Sequence, residues 1–108
     1  MAIKADVGVS GDVDRLVATT MEHFGRIDCV INNAGVGKIT ALEELDAAAF
    51  EQTLKINLLS AFLVSQAAMP QMKTRGGRLI FMSLGAARTG GKISSQPPTP
   101  HPRAGWRA

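Results

Sequence analysis

Tyrosine is absent from this chain of 108 residues, so none of its chemistry can use a phenol as acid or base. Cysteine occurs once, at Cys29, which excludes an internal disulfide framework and a cysteine-ligated metal cluster. No apolar run is long enough to span a bilayer, and the N-terminus lacks the charged-then-apolar pattern of a signal peptide. A reducing, cytoplasmic setting without a membrane partner is therefore the expectation. No carboxylate pair or His/Cys cluster points to hydrolytic or metal-dependent chemistry, so no metal site is expected. No acid follows Gly91, whereas Lys92, Arg103 and Arg107 do; residues 1–91 carry nine basic and nine acidic residues. The formal charge of +3 thus belongs to the C-terminal stretch. No basic stripe interleaved with aromatics occurs, which argues against a nucleic-acid partner. Internal repeats are absent too.

What remains is a chain long enough for one small domain, with an ordinary 45% of apolar residues. Ala2 to Val7 reads as a short strand. Ser10 or Asp12 is placed to cap a helix, since a short side-chain oxygen accepts from free first-turn N–H groups. Val13, Leu16, Val17, Met21 and Phe24 then recur at helical spacing, and Gly25 suits a left-handed helix stop. Asp28-Cys29-Val30-Ile31 reads as a buried strand covered on both faces. In that reading Cys29 is a small buried apolar residue and His23 a solvated helix-end side chain.

Ala41 to Leu45 reads as a short helical turn, with Glu43 and Glu44 on a solvated face. Asp46 is placed to cap a longer helix. Its expected inward stripe is Phe50, Leu54, Asn57 or Leu58, Ala61, Phe62, Ser65, Ala68 and Met72. Pro70 removes one N–H near its end, and Gly76-Gly77 stops it. Arg78 to Ser83 is a further buried-strand pattern. Strands alternating with helices indicate a parallel sheet covered by helices, with right-handed crossovers. From Gly90 onward the character changes. Residues 94–102 hold four prolines and no apolar periodicity, as in an irregular segment.

Ligands of doubly wound sheets sit beyond the carboxyl ends of the strands. Asn32-Asn33-Ala34-Gly35 lies at such an end, where glycine admits close backbone approach and asparagine amides can fix neighbouring loops. The plain alternative is a strand-to-loop turn. Asn57, within Lys55-Ile56-Asn57-Leu58, puts an amide on an otherwise apolar helix, which is costly unless it is paired. Its plain alternative is an amide that bonds a loop. Asp6 and Val7 end the first strand pattern, and Ser83 ends the last.

This order of motifs resembles the middle of a short-chain dehydrogenase/reductase, a family of NAD(P)-dependent oxidoreductases. The resemblance covers residues 2 to about 91. It implies an α/β fragment of a doubly wound parallel-sheet Rossmann fold with three strands and two main helices. Residues 1–91 would form a partial NAD(P)-binding domain and 92–108 an irregular Pro-rich tail. It implies that Asp6 and Val7 contact the adenine of NAD or NADP and that Asn32, Asn33, Ala34 and Gly35 border the cofactor ribose. Asn57 would hold a water that relays protons to the catalytic lysine. Ser83 would polarise the carbonyl of a small ketone or secondary-alcohol substrate. Gapless alignment on Gly76-Gly77-Arg78 instead puts Leu84, which has no donor, at that serine position.

Two family elements have no counterpart in the sequence: the upstream Gly-rich turn that receives the pyrophosphate, and the Tyr-x-x-x-Lys that moves the proton. The expectation is a chain that is inactive and at best marginally stable alone. Residues 98–103, Pro-Thr-Pro-His-Pro-Arg, permit the codons CCT ACG CCG CAT CCA AGG. Read from the third base these give Tyr-Ala-Ala-Ser-Lys, so a frameshift near Gln96 would account for both the lost motif and the change in composition. Two other readings stand beside the enzymatic one. The helix from Phe50 to Met72 corresponds to one that packs subunits in family tetramers, so the chain would join a full-length relative or a second copy. Alternatively it is a nucleotide-binding module without chemistry.

Overall fold

The computed structural model of the chain describes residues 1–37 and 40–83. Val13 and Val17 are buried and Leu16 and Met21 half-buried along one side of helix α1 (Ser10–Phe24), as the helical spacing predicts. Phe24, at the end of that stripe, is 57% exposed. Gly25 closes α1 at φ 71°, its N–H donating to the Met21 carbonyl at 2.8 Å. A side chain with a Cβ is strained in that left-handed conformation. The expected cap at the other end is not made. Val9 occupies the N-cap with no side-chain hydrogen bond, because the Asp12 carboxylate turns outward to the main chain of Asp6 instead.

Strands β1 (Cys29–Asn32) and β2 (Arg78–Phe81) pair in parallel, Cys29 opposite Arg78 and Asn32 opposite Phe81. The Arg78 N–H donates to Asp28 O and the Met82 N–H to Asn32 O, both at 3.0 Å. Main-chain groups alternate along a strand, so Asp28, Val30 and Asn32 address β2 while Cys29 and Ile31 address the opposite edge. Gly77 lets the chain enter β2. A Cβ there would strike the Met72 methyl and come within 3.1 Å of the Asp28 carbonyl.

The connection between the strands holds a 3-10 turn (Leu42–Glu44), α2 (Ala47–Leu54), a π turn (Lys55–Leu59) and α3 (Ser60–Met72). Asp46 caps α2 as its position predicts, Oδ1 accepting from the Ala49 N–H at 2.7 Å. α3 runs through Pro70 and ends two residues later. Helices α1 and α3 pack together, and α3 lies on β1. Val17, Ala68 and Met72 form the core there, with Ile27, Val30, Ala67 and Leu79 against it.

Three expectations are corrected. Among the described residues two strands form rather than three: residues 2–7 pair with neither β1 nor β2. In a doubly wound sheet two strands separate this segment from β1, and none of the described residues supplies them. For the same reason the described residues cover the sheet on one side only, and Cys29 is exposed rather than buried. Of the expected stripe of the long helix, Ala68 and Met72 are buried and Ala61 and Ser65 half-buried, but its large residues are not. Ser60, Ala68 and Met72 turn inward, half-buried Val64 completing their four-residue spacing, while Phe50, Leu54, Leu58 and Phe62 face outward at 42–65% exposure. A helix apolar all round does not announce its inner side. The small Ser60 and Ala68 bring it close to the sheet, which leaves the bulky stripe outside. Ser60, although buried, is satisfied by a hydrogen bond from its hydroxyl to the Ile56 carbonyl.

Residues 2–7 are nevertheless held in place. Asp12 Oδ2 accepts from the Asp6 N–H at 2.7 Å, and Arg15 donates to Lys4 O at 3.1 Å and to Asp12 Oδ1 at 3.0 Å. The Asp6 amide first, and then the Arg15 guanidinium, hold the Asp12 carboxyl below its ordinary 3.8. A carboxyl lowered by folding stabilises the fold above its unfolded value, and that contribution is lost as pH falls through the lowered one. We therefore expect the protection of the Asp6 amide, its exchange rate compared with an unstructured amide at the same pH, to fall as the solution is acidified below 3.8. NMR of the Asp12 side-chain carbon and the Asp6 amide checks this. In the Asp12→Asn variant that protection should no longer change with pH.

Candidate functional site

Both strands end at the same edge of the sheet, since they run in parallel and Asn32 lies opposite Phe81. The loop 33–37 leaves β1 there, and Met82-Ser83 leaves β2 beside it. Asn32 is the tie. Its carbonyl accepts from Met82, and its Nδ2 donates to the Ser65 hydroxyl on α3 at 3.2 Å.

Asn57 holds the loop from the other side. Its Oδ1 accepts from the Val36 N–H and its Nδ2 donates to the Val36 carbonyl, each at 2.7 Å. One lone pair and one N–H of the amide remain for a water or ligand. Gly35 fits against this clamp, and a Cβ there would stand 3.3 Å from Asn57 Oδ1. Asn57 is central in the π turn, where Ser60 donates to the Lys55 carbonyl five residues back. Such turns disturb the regular ladder and occur often at functional sites. The bland expectation for Asn57, an amide bonding a loop, is met by these two bonds.

Val7, Asn32, Asn33 and Ala34 line one hollow of about 140 Å³, together with Leu16, Ile31, Ser60 and Val64. The fold thus gathers four of the expected cofactor-bordering residues, with Gly35 and Asn57 alongside. Asp6 and Ser83 are not in its wall. Asp6 folds back on its own turn, Oδ1 accepting from the Gly8 N–H at 2.9 Å. Ser83 is exposed, just beyond β2. Leu84 and residues 92–108 lie outside the described residues, as do the serine register and the tail. Sequence reasoning missed Val36, Ser65 and Lys55. Val36 and Ser65 act through contacts across 21 and 33 residues, and the Lys55 stem lies against buried Gly8. No local pattern signals such pairings.

The family profile described as short chain dehydrogenase matches residues 1–96. The chain belongs to the short-chain dehydrogenase family. Among curated relatives, the sepiapterin reductase of Chlorobaculum tepidum is 38% identical over 87 residues, covering 81% of this chain and 36% of its own. The L-fucose dehydrogenase of Rattus norvegicus is 39% identical over 82 residues, covering 75% and 30%. Among solved structures, the NADH-dependent reductase A1-R′ complexed with NAD superposes at TM-score 0.75 and 30% identity, covering 84% of this chain and 40% of that one. The chain therefore spans about a third of the length of the curated short-chain dehydrogenases it matches. Among the described residues, no helix is long and apolar enough to cross a membrane.

The residues present fit one flank of a dinucleotide. The hollow is apolar at Val7 and Ile31 and amide-lined at Asn32 and Asn33. It falls well short of the roughly 300–1,000 Å³ of ordinary ligand sites. Among the described residues no glycine-rich turn leads from a strand into a helix to receive a pyrophosphate.

Proposed function

We propose that residues 1–91 form the central part of an NAD(P)-dependent oxidoreductase that interconverts a ketone and a secondary alcohol. The Asn57 clamp on Val36 carries this reading. It fixes the loop after Asn32-Asn33-Ala34-Gly35 at the carboxyl edge of the sheet, where dinucleotides lie in this architecture. Val7 packs on the adenine side and Asp6 accepts from its exocyclic amine. Asn32 to Gly35 border the ribose. The cofactor, when bound, supplies or accepts the hydride. Asn57 offers its spare amide groups to a proton-relaying water, and Ser83 donates to the substrate oxygen. The relatives' NADH dependence and bound NAD support the cofactor class. The profile match ends at residue 96, where the Pro-rich stretch begins, which supports a change of reading frame there. The DNA decides that point: the alternative frame either encodes Tyr-x-x-x-Lys or it does not.

The experiment is a graft, with residues 2–83 replacing the matching segment of an active family member. The graft should retain saturable NADH binding. Asn57→Ala and Ser83→Ala should each lower its kcat on the order of 10²-fold, as loss of proton delivery or of an oxyanion donor does. A folded graft whose kcat is indifferent to both changes contradicts the assignment.

A second, non-enzymatic reading rests on the outer stripe of the long helix. Leu54, Leu58, Leu59 and Phe62, flanked by Glu51 and Lys55, line an apolar groove of about 510 Å³. In this reading the groove docks the same helix of a full-length relative or a second copy. Co-purification with a tagged relative should be strong and should be lost in Leu58→Glu. Equal recovery of that variant contradicts it.

A further inference from the structure

Ser60 opens α3 and is the one buried polar side chain among the described residues, at 3% exposure. In a regular α-helix its N–H would take the Ile56 carbonyl, four residues back. Here it takes Lys55 O, five back, at the end of the π turn. α3 then resumes the four-residue step, which gives the next N–H, that of Ala61, to Asn57. The change of step passes over the Ile56 carbonyl and leaves it without a main-chain donor. The Ser60 hydroxyl donates to it instead. Two other hydroxyls show the contrast. Thr20 donates to Leu16 O at 2.7 Å and Thr53 to Ala49 O at 2.9 Å, each within a regular helix whose own N–H already takes that carbonyl. Their hydroxyls are surplus donors, whereas that of Ser60 is a replacement.

We propose that Ser60 is a positioning residue: its hydroxyl fills the place left in the ladder, sustains the π turn, and through that turn aims the Asn57 amide at Val36. A buried carbonyl without a donor is costly, so a helix that loses the hydroxyl is driven back toward the regular step. One residue of a helix corresponds to about 100° of rotation. Closing the π turn therefore swings Asn57 about the axis of α3, away from the two main-chain groups of Val36 that it holds at 2.7 Å. The loop 33–37 is then released, and Gly35 no longer has Asn57 Oδ1 to fit against. Ser60 also stands in the wall of the hollow with Asn32, Asn33 and Ala34, so the support and the clamp border the same site. The effect on turnover rests on the proposed function, in which the spare amide groups of Asn57 hold the proton-relaying water. The effect on the clamp rests on the hydrogen bonds alone.

In the 108-residue chain, Ser60→Ala is expected to cost the Val36 amide on the order of tenfold in protection from exchange, and to move the Asn57 side-chain amide signals to those of a free asparagine. Ser60→Thr keeps a hydroxyl able to reach back four residues and should preserve both, as should Thr53→Val, which removes a surplus hydroxyl. In the graft that carries residues 2–83, Ser60→Ala should lower kcat on the order of tenfold, as a misaimed group does. Made in the Asn57→Ala background it should cost little more, because its effect passes through the amide already removed. A general loss of folded enzyme, or a direct contact of Ser60 with the cofactor, lowers kcat by the same factor in both backgrounds, and that result overturns the proposal. So does a Val36 amide unmoved by Ser60→Ala. If Ser60→Ala does not fold, the unaltered graft decides: a Ser60 hydroxyl proton in slow exchange is expected, and one exchanging freely with solvent contradicts the proposal. The two readings fail separately. A kcat indifferent to Asn57→Ala contradicts the proposed function and leaves the Val36 result to judge Ser60. A kcat that falls in Asn57→Ala and not in Ser60→Ala contradicts the role of Ser60 alone.

Discussion

Heated alone, the 108-residue chain is expected to lose its helical signal gradually, without a sharp cooperative transition, and to bind a hydrophobic dye before heating. Full burial of apolar side chains is limited to Val13, Val17, Ala68 and Met72 among the described residues. Ile31, Phe50, Leu58, Phe62 and Phe81 are all more than half exposed. Each of these large side chains forgoes roughly half of the 1.5–3 kcal/mol that full burial contributes. A domain's whole stability is only about 5–15 kcal/mol, so several such losses decide the outcome. A two-stranded parallel sheet with an open edge adds little and invites association. Circular dichroism on the purified monomer checks this, and a cooperative transition with a high midpoint contradicts it.

The pure chain given NADH or NADPH with a ketone is expected to show no turnover above the uncatalysed background. Tyrosine is absent from the sequence, so the family's proton donor is not available. Proton delivery in the transition state contributes ~10²–10⁴-fold. Cofactor capture is a second deficit. The hollow beside Asn32 to Ala34 offers about 140 Å³, with no glycine-rich turn among the described residues. The oxyanion donor proposed at Ser83 has nothing to act on when the hydride source is not held. Absorbance at the nicotinamide band measures the result directly. NAD(P)H-dependent reduction by the pure chain would overturn it.

Much of this was legible in the residues. Gly25 after Phe24 and Asp46 before α2 marked helix ends because those positions need a left-handed residue and a side-chain acceptor. Asn32 to Gly35 marked the strand's carboxyl end, and the fold brings it together with Val7 and Asn57. Tertiary balance was not legible. Residues 2–7 have a strand's composition and burial alternation, but a strand needs a neighbour, and pairing is not written in the segment itself. The inner side of the long helix was legible at Ala68 and Met72 but hidden toward its start. Large apolar residues occur on both of its faces, and the close fit of Ser60 and Ala68, a property of the α3–β1 contact, decides between them. The Asn57–Val36 clamp joins residues 21 apart through an amide whose partner no local spacing predicts.

The most direct test of the central claim follows the backbone amides of Asn33 to Gly35 by NMR in the graft that carries residues 2–83, as NADH is added. The account predicts that the Asn33, Ala34 and Gly35 amides shift along a saturable curve, with the same dissociation constant as the nicotinamide fluorescence, while Leu58 and Phe62 on the outer groove stay still. A graft that folds and binds NADH with this loop unperturbed would contradict it.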